Sequence, residues 1–194
     1  MPFLIDLVLT RDTLSGTPPQ PAIATGDGLV LRPWTATDAP AAHAIFQGPI
    51  LQQWHAKAAD SAEEVGGWIE GRHKDWGEER TAQWAVVDAD FDRLLGRVAL
   101  REIRLDEGTA EVAYRTVIEA RGQSIIARAT TTLARWALDD IGFHRLELIH
   151  AVRNEASRRV ATKMGFALEG TKRSAVLHAD GGHDMHLHAR VKGD

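Results

Sequence analysis

The stretch from Thr109 to Gly170 decides the fold. It opens with Ala110-Glu111-Val112-Ala113-Tyr114 and passes through Arg121-Gly122-Gln123-Ser124-Ile125-Ile126. It ends in Asn154-Glu155-Ala156-Ser157-Arg158-Arg159-Val160-Ala161-Thr162-Lys163-Met164-Gly165-Phe166-Ala167-Leu168-Glu169-Gly170. Thr109 to Val117 reads as a strand after the turn residues Asp106-Glu107-Gly108. From Ser124 to Leu138 the period becomes helical, with Ile125, Ala129, Leu133 and Trp136/Ala137 on an inner face. Arg145 to Ile149 is a strand, and Asn154 to Met164 is a short helix ended by Gly165. Between the first strand and its helix, unpaired amides and the positive end of the helix dipole make an anion site that suits a diphosphate. Arg121, Arg128, Arg158 and Arg159 can add charge to it. An ordinary strand-to-helix turn has the same local form, so the turn alone leaves both readings open.

Working outward, residues 1–27 read as an appendage. Phe3 to Leu9 make a short strand, followed by the linker chemistry of Ser15-Gly16-Thr17-Pro18-Pro19-Gln20-Pro21. The main domain, 28–194, starts at Gly28 with the strand Leu29-Val30-Leu31-Arg32, stopped by Pro33 before Trp34. A helix follows from about Thr37, with Ala41, Ala44, Ile45 and Phe46 at helical spacing. Ser61-Ala62-Glu63-Glu64 reads as a capping box opening a helix with Val65, Trp68 and Ile69 on one face. Ala82–Val87 and Leu94–Ile103 are strands, and Phe166–Leu168 and Met185–Val191 are late strands. The order β-α-α-β-β-β-α-β-α-β-β implies one α/β domain, a mixed sheet with helices on both faces.

The chain has no cysteine. Disulfides, thiolate metal sites and a cysteine nucleophile are excluded, and a cytoplasmic location fits. No apolar run is long enough to cross a bilayer, and the opening residues lack the basic region of a secretory signal. Residues 115–173 hold eleven Lys/Arg against six Asp/Glu, whereas the whole chain has a net charge of −4. A basic segment of this kind attracts a polyphosphate or nucleic acid, or is simply scattered solvated charge.

The three quoted blocks resemble the GNAT superfamily of acyltransferases, and within it the Rim-type branch that modifies ribosomal-protein N-termini. The family pattern has a strand like Ala-Glu-Ile-Gly-Tyr, then Arg-Gly-x-Gly-x-Ala opening a helix, then Asn-x-x-Ser followed by Lys-x-Gly-Phe. The likeness covers about residues 28–191 and implies a single GNAT-like domain with a mostly antiparallel mixed sheet. It further implies an N-acyltransferase that moves an acyl group, acetyl first among the candidates, from CoA to a primary amine by direct attack. Three departures stand out: Ser124 where relatives have glycine, Ile126 where they have a small residue, and Arg115 where they have tryptophan. The small residues let the loop backbone approach the pyrophosphate, and a β-branched Ile126 adds bulk there. The Ser124 hydroxyl can cap the helix or touch a phosphate.

By this resemblance the CoA-binding residues are Thr116, Val117 and Ile118, Arg121, Gly122, Gln123, Ser124, Ile125 and Ile126, then Asn154 and Ser157. The thioester carbonyl is expected at a backbone amide near a bulge at Thr116-Val117-Ile118. Ser157 donates a hydrogen bond to the departing thiolate, or else satisfies its own helix. Asn154 bonds the pantetheine arm, caps its helix, or does both. Glu111 accepts the ammonium proton, or merely pairs with Arg115 or a neighbouring strand; Glu147 and His150 are the reserves. Tyr114, Trp54, Trp68 and Trp76 read first as core. His183, His186 and His188 have no carboxylate or cysteine at ligand spacing, so no metal is expected. The acceptor amine is open, as is a homodimer. Two rivals stand beside this reading: a GNAT-like transferase using another donor such as an aminoacyl-tRNA, and a catalytically silent domain that binds a ligand or partner.

Overall fold

The computed structural model describes residues 6–16, 19–45, 61–178 and 180–194. Eight strands form one sheet: β1 (Ile23–Ala24), β2 (Leu29–Arg32), β3 (Ala82–Asp88), β4 (Leu94–Arg104), β5 (Thr109–Thr116), β6 (Arg145–Ala151), β7 (Ala167–His178) and β8 (Gly181–Val191), ordered β1-β2-β3-β4-β5-β6-β8-β7. Every neighbouring pair is antiparallel except β5 with β6. Their parallel pairing lasts three rungs: Thr109 with Arg145, Ala110 with Leu146, and Glu111 with Glu147. β5 then runs on to Thr116 and β6 to Ala151 without pairing to each other, so the sheet opens into a gap.

The helices lie on both faces, as the element order implied. On one face, α1 (Ala39–Ile45) and α2 (Ala62–Gly77) pack Ala42, Ile45, Val65 and Ile69 against Trp34, Ala85 and Val87. On the other, α3 (Ile125–Arg135) buries Ala129 and Leu133 against Trp84, Val98, Leu100 and Val112, and α4 (Glu155–Lys163) adds Ala161. Because both faces are covered, β3 is buried continuously from Ala82 through Val87, with Gln83 the one polar residue, rather than alternating. The start of α2 follows the capping logic, with Ser61 Oγ accepting from the Glu64 amide at 3.1 Å.

Several elements depart from the sequence reading. The helix expected from Thr37 is a 3₁₀ turn at Ala36–Asp38 leading into α1, and Phe46 lies outside the described residues. α3 ends at Arg135 and continues as a π-type turn over Trp136–Ile141. The late strands are much longer than expected and form one hairpin. Its outer strand β7 runs through the exposed polar stretch Thr171-Lys172-Arg173-Ser174, where apolar alternation is absent. Of the expected strand at Phe3–Leu9, residues 1–5 lie outside the described residues and Asp6–Leu9 are not a strand. Val8 and Leu9 nevertheless donate to the carbonyls of Asp106 (3.1 Å) and Leu105 (3.0 Å). The described part of the first 27 residues lies against the domain. Leu9 and Leu14 are buried in its core, and Glu79 accepts from the amides of Asp12 (2.8 Å) and Leu14 (2.7 Å).

Candidate active site

A cleft of about 560 Å³ lies where β5 leaves β6, between the starts of α3 and α4. Of the CoA-binding residues expected from the sequence, Thr116, Val117, Ile118, Arg121, Gly122, Ser124, Ile125, Ile126, Asn154 and Ser157 line it. Gln123 does not; its amide donates to the Glu119 carbonyl at 2.9 Å. Gly122 sits at φ +77°, a left-handed conformation that glycine adopts without penalty. The first intrahelical bond of α3 runs from Arg128 N–H to Ser124 C=O (3.1 Å). The amides before Arg128 therefore have no carbonyl within the helix and mark the anion site at its start. Arg115, Arg121, Arg159 and Lys163 line the cleft as its cations. Arg128 and Arg158 do not join them: Arg128 pairs with Asp27 (2.9 Å) and Arg158 with Glu155 (2.8 Å). Lys163 was missed as a charge donor; its spacing from the loop, 39 residues in sequence, becomes contact only through the packing of α4 on α3.

The two departures in the loop are accommodated differently. Ile126 is 7% exposed and belongs to the core on the α3 side, so most of its bulk is absorbed by packing. Ser124 does not cap α3: it sits at φ +59° with no side-chain cap, and its hydroxyl accepts from Lys163 Nζ at 2.7 Å. A left-handed conformation costs a non-glycine residue on the order of 1–2 kcal/mol, while an exposed lysine–hydroxyl bond contributes less. Ser124→Gly is therefore expected to stabilise the fold by about 0.5–1 kcal/mol, net of glycine's entropy cost. It also frees Lys163 for an anion, so CoA should bind more tightly. Thermal melting and a CoA titration check both, and a lower melting temperature would show that the Lys163 bond outweighs the strain.

The expected bulge at Thr116-Val117-Ile118 is not there; the irregularity between β4 and β5 falls at the other end, between Arg101 and Arg104. The Val117 amide is also taken, donating to Leu95 O at 3.0 Å. Antiparallel alternation then fixes which groups are free. With Val117 bonded to β4 and Gly96 opposite Thr116, the backbone groups of Thr116 and Tyr114 point away from β4, into the gap. Across the gap stands the first turn of α4. Asn154 Oδ1 accepts from the Ser157 amide (3.1 Å), so Asn154 does the capping. Ser157 Oγ makes no hydrogen bond among the described residues and lines the cleft. Tyr114 Oη donates to the Ser157 carbonyl (3.3 Å), which ties β5 to α4; burial pushes its phenol up to about 12, so it stays protonated.

Glu111 does not line this cleft. It lies in a separate hollow of about 660 Å³ shared with Glu147 and Arg101. Its partner is Arg101 of β4, at 2.5 Å from Nη2, rather than Arg115. Glu147, opposite Glu111 on the last rung before the gap, is held by Arg145 at 3.0 Å. Two carboxylates thus mark the point where the hollow meets the gap. His150 is buried and borders neither space: Nδ1 faces the Ala151 carbonyl (2.9 Å), Nε2 lies 3.2 Å from His188 Nε2, and burial pulls its pKa down. Among the described residues no group of three or more His, Cys, Asp or Glu could hold a metal ion. Trp76 is core, packed edge-on to Trp84; Trp68 is half-buried against Trp34, and Trp54 lies outside the described residues.

The sheet thus opens between two parallel strands, with a helix start whose first amides have no partner within the helix and a carboxylate pair in the neighbouring hollow. The chain matches the acetyltransferase (GNAT) domain family over residues 28–167 and belongs to it. It is 24% identical over 167 residues to the uncharacterized N-acetyltransferase YoaA of Bacillus subtilis (strain 168), spanning 86% of this chain and 94% of that one. It is 31% identical over 100 residues to the ribosomal-protein-serine acetyltransferase of Escherichia coli (strain K12), there spanning 52% of this chain and 56% of the relative. In structure it is similar to RimL, a ribosomal α-N-protein acetyltransferase, in complex with coenzyme A (TM-score 0.81, 22% identity, 88% of this chain and 98% of that one). A GNAT-family acetyltransferase from Bacillus anthracis superposes with a TM-score of 0.80 at 16% identity, covering 90% and 100%. Among the described residues no helix is long and apolar enough to cross a membrane.

Proposed function

We propose that this GNAT acetyltransferase transfers an acetyl group from acetyl-CoA to a primary amine, with the donor in the cleft and the acceptor entering through the Glu111/Glu147 hollow. The observation that carries this reading is the position of Ser157, which lines the cleft while Asn154 satisfies the helix start. The diphosphate sits on the amides after Arg121, with Arg121, Arg159 and Lys163 around it. The pantetheine runs along the free backbone of Tyr114 and Thr116, and the Thr116 N–H donates a hydrogen bond to the thioester carbonyl oxygen as negative charge develops on it. Glu111 or Glu147 takes a proton from the ammonium. The neutral nitrogen attacks the carbonyl carbon, the C–S bond breaks, and the departing thiolate is stabilised by the Ser157 hydroxyl before it is protonated to CoA-SH. The products are an N-acetylated amine and free CoA.

CoA at millimolar concentration is expected to raise the melting temperature, because it binds only the folded state. The absence of a shift would overturn the donor assignment and favour the aminoacyl-tRNA alternative. Ser157→Ala should leave that shift intact and lower kcat by roughly 10-fold or more, since the lost hydrogen bond strengthens as charge collects on sulfur. A weaker CoA shift with unchanged kcat would make Ser157 a binding residue alone.

A further inference from the structure

Two buried histidines outside the cleft are held in a way that neutral rings cannot satisfy. His150 ends β6 and His188 lies on β8, 5% and 3% exposed. Alternation along β6 puts His150 on the face of Leu146 and Leu148, which share a core with Ala161 of α4. His150 Nδ1 lies 2.9 Å from the Ala151 carbonyl oxygen, and His188 Nδ1 lies 3.1 Å from that of Phe166. The two Nε2 atoms face each other at 3.2 Å, with the ring planes 29° apart. A carbonyl only accepts, so each Nδ1 must carry a hydrogen. A neutral imidazole has one, which leaves both Nε2 atoms as bare lone pairs. Two lone pairs at that separation repel, and if either ring changes tautomer, its carbonyl faces a lone pair instead. Two neutral rings thus bring two hydrogens to three contacts. One added proton supplies the third, and every contact becomes a hydrogen bond.

The bridge completed in this way joins the two ends of α4. Ala151 precedes the helix, and its carbonyl also accepts the Asn154 amide (2.8 Å), while Asn154 Oδ1 accepts from Ser157. Phe166 follows the helix, and its amide returns to the Ala161 carbonyl (3.1 Å). We propose that His150 and His188 are a proton-linked positioning pair: one proton held between their Nε2 atoms closes this bridge and sets the helix that presents Ser157 to the donor. The effect on the donor rests on the proposed function, whereas the shared proton does not. The ionisable neighbours come from two elements. From α4 they are Arg158 and Glu155, paired with each other at 2.8 Å. From β8 they are His186, edge-on to His150 at 5.5 Å, and Arg190, two residues past His188 on the same face. His186 Nδ1 meets the Thr171 hydroxyl of β7 (3.1 Å), which donates or accepts as required, so His186 needs no added proton. Burial pulls His150 down; its bond to the Ala151 carbonyl opposes this, and His188, His186 and Arg158 reinforce it. The pair therefore takes up its proton below the ordinary histidine range. If CoA binds best to the helix so set, CoA binding and proton uptake favour each other by the same factor.

The test is a pH titration of the full chain with isotopically labelled histidine rings, read by nitrogen NMR with and without CoA. At high pH both rings are expected as the Nδ1–H tautomer. As pH falls, their Nε2 signals should move together, each by about half of a full imidazolium shift, because the midpoint belongs to the pair. His186 should titrate separately. An Nε2–H tautomer on either ring at high pH, or two independent full titrations, overturns the inference. So does a reversible shift of both Nε2 signals by zinc ions at neutral pH, which would make the pair a metal ligand. Saturating CoA should raise the shared midpoint. In parallel, the Kd for CoA should tighten by ~5-fold or more from about pH 8 to about pH 5 in the parent relative to His188→Gln. The glutamine amide donates to His150 Nε2 without an added proton, so the variant keeps that link and loses its pH dependence. Taking the ratio cancels the ionisation of CoA itself. A midpoint that CoA leaves unmoved, or a flat Kd ratio, overturns the positioning role. If His188→Gln does not fold, the parent's midpoint with and without CoA decides the same point. Failure of CoA to bind at all counts against the proposed function instead, and the titration without CoA still decides the shared proton.

Discussion

Replacing Glu111 with glutamine is expected to lower kcat at neutral pH by on the order of 10²-fold, the usual contribution of a positioned general base. Affinity for CoA should change little, because Glu111 lines the hollow and not the donor cleft. The substitution keeps the side chain's size but removes the charge that Arg101 holds and the site that takes the ammonium proton. A general base contributes only when deprotonated, so rate rises with pH through its ionisation; the variant should lose that ascending limb. Glu147 qualifies the magnitude. It faces the same hollow from the adjacent strand, on the same rung, and its own partner Arg145 is shared with Glu169. If Glu147 takes over, Glu111→Gln falls short of the full loss, and the Glu111→Gln/Glu147→Gln double variant shows it. Measuring kcat against pH for the parent protein and both variants separates these cases. An unaltered profile in the double variant would mean that neither carboxylate is the base and that the proton leaves through water.

How far the site was legible follows from which of its parts are local. The loop after Arg121 could be read because a left-handed glycine and a helix start leave marks within six residues. The capping of α4 by Asn154 could be read for the same reason, and with it the availability of Ser157. The partner of Glu111 could not. Arg101 and Arg115 are both reachable from it by simple alternation, and only the β4–β5 register puts Arg101 opposite Glu111 and Arg97 opposite Arg115. Lys163 joined the cleft through α4 packing on α3, which no spacing in the sequence encodes. The fold divides in the same manner. β2 through α4 have strong periods or clear stops, whereas β7 is mostly polar and exposed, and a register shift between Lys172 and Val176 removes what alternation it has. The two-residue β1 is too short for any periodic signal, and the Pro-rich stretch before it reads as linker. Its hold on the domain comes from single contacts to β3 and to Glu79, just past the end of α2, rather than from a pattern.

The strongest of those contacts leads to the largest expected loss of stability. Trp84→Ala should destabilise the protein by ~3–5 kcal/mol through the cavity left in the core. Trp84 is fully buried at the centre of β3, with Trp76 edge-on at 5.9 Å and Trp136 at 5.3 Å, so one deletion undoes two aromatic pairs. Its indole N–H donates to the Pro21 carbonyl at 2.8 Å, and beside it Gln20 Nε2 donates to the Gln83 carbonyl at 2.9 Å. Domains of this kind are stable by only about 5–15 kcal/mol, so the loss is a large share of the total. With each kcal/mol worth roughly 2–4 °C at this chain length, melting should fall by about 10 °C. Trp84→Phe separates the two roles. A phenyl ring retains most of the packing but strands the Pro21 carbonyl, at a cost of about 1–3 kcal/mol. That variant should stay folded while its first 24 residues become the earliest site of proteolytic cleavage. Cleavage elsewhere first, with the N-terminal stretch still protected, would mean that Leu9, Leu14 and Glu79 hold it without help from the indole.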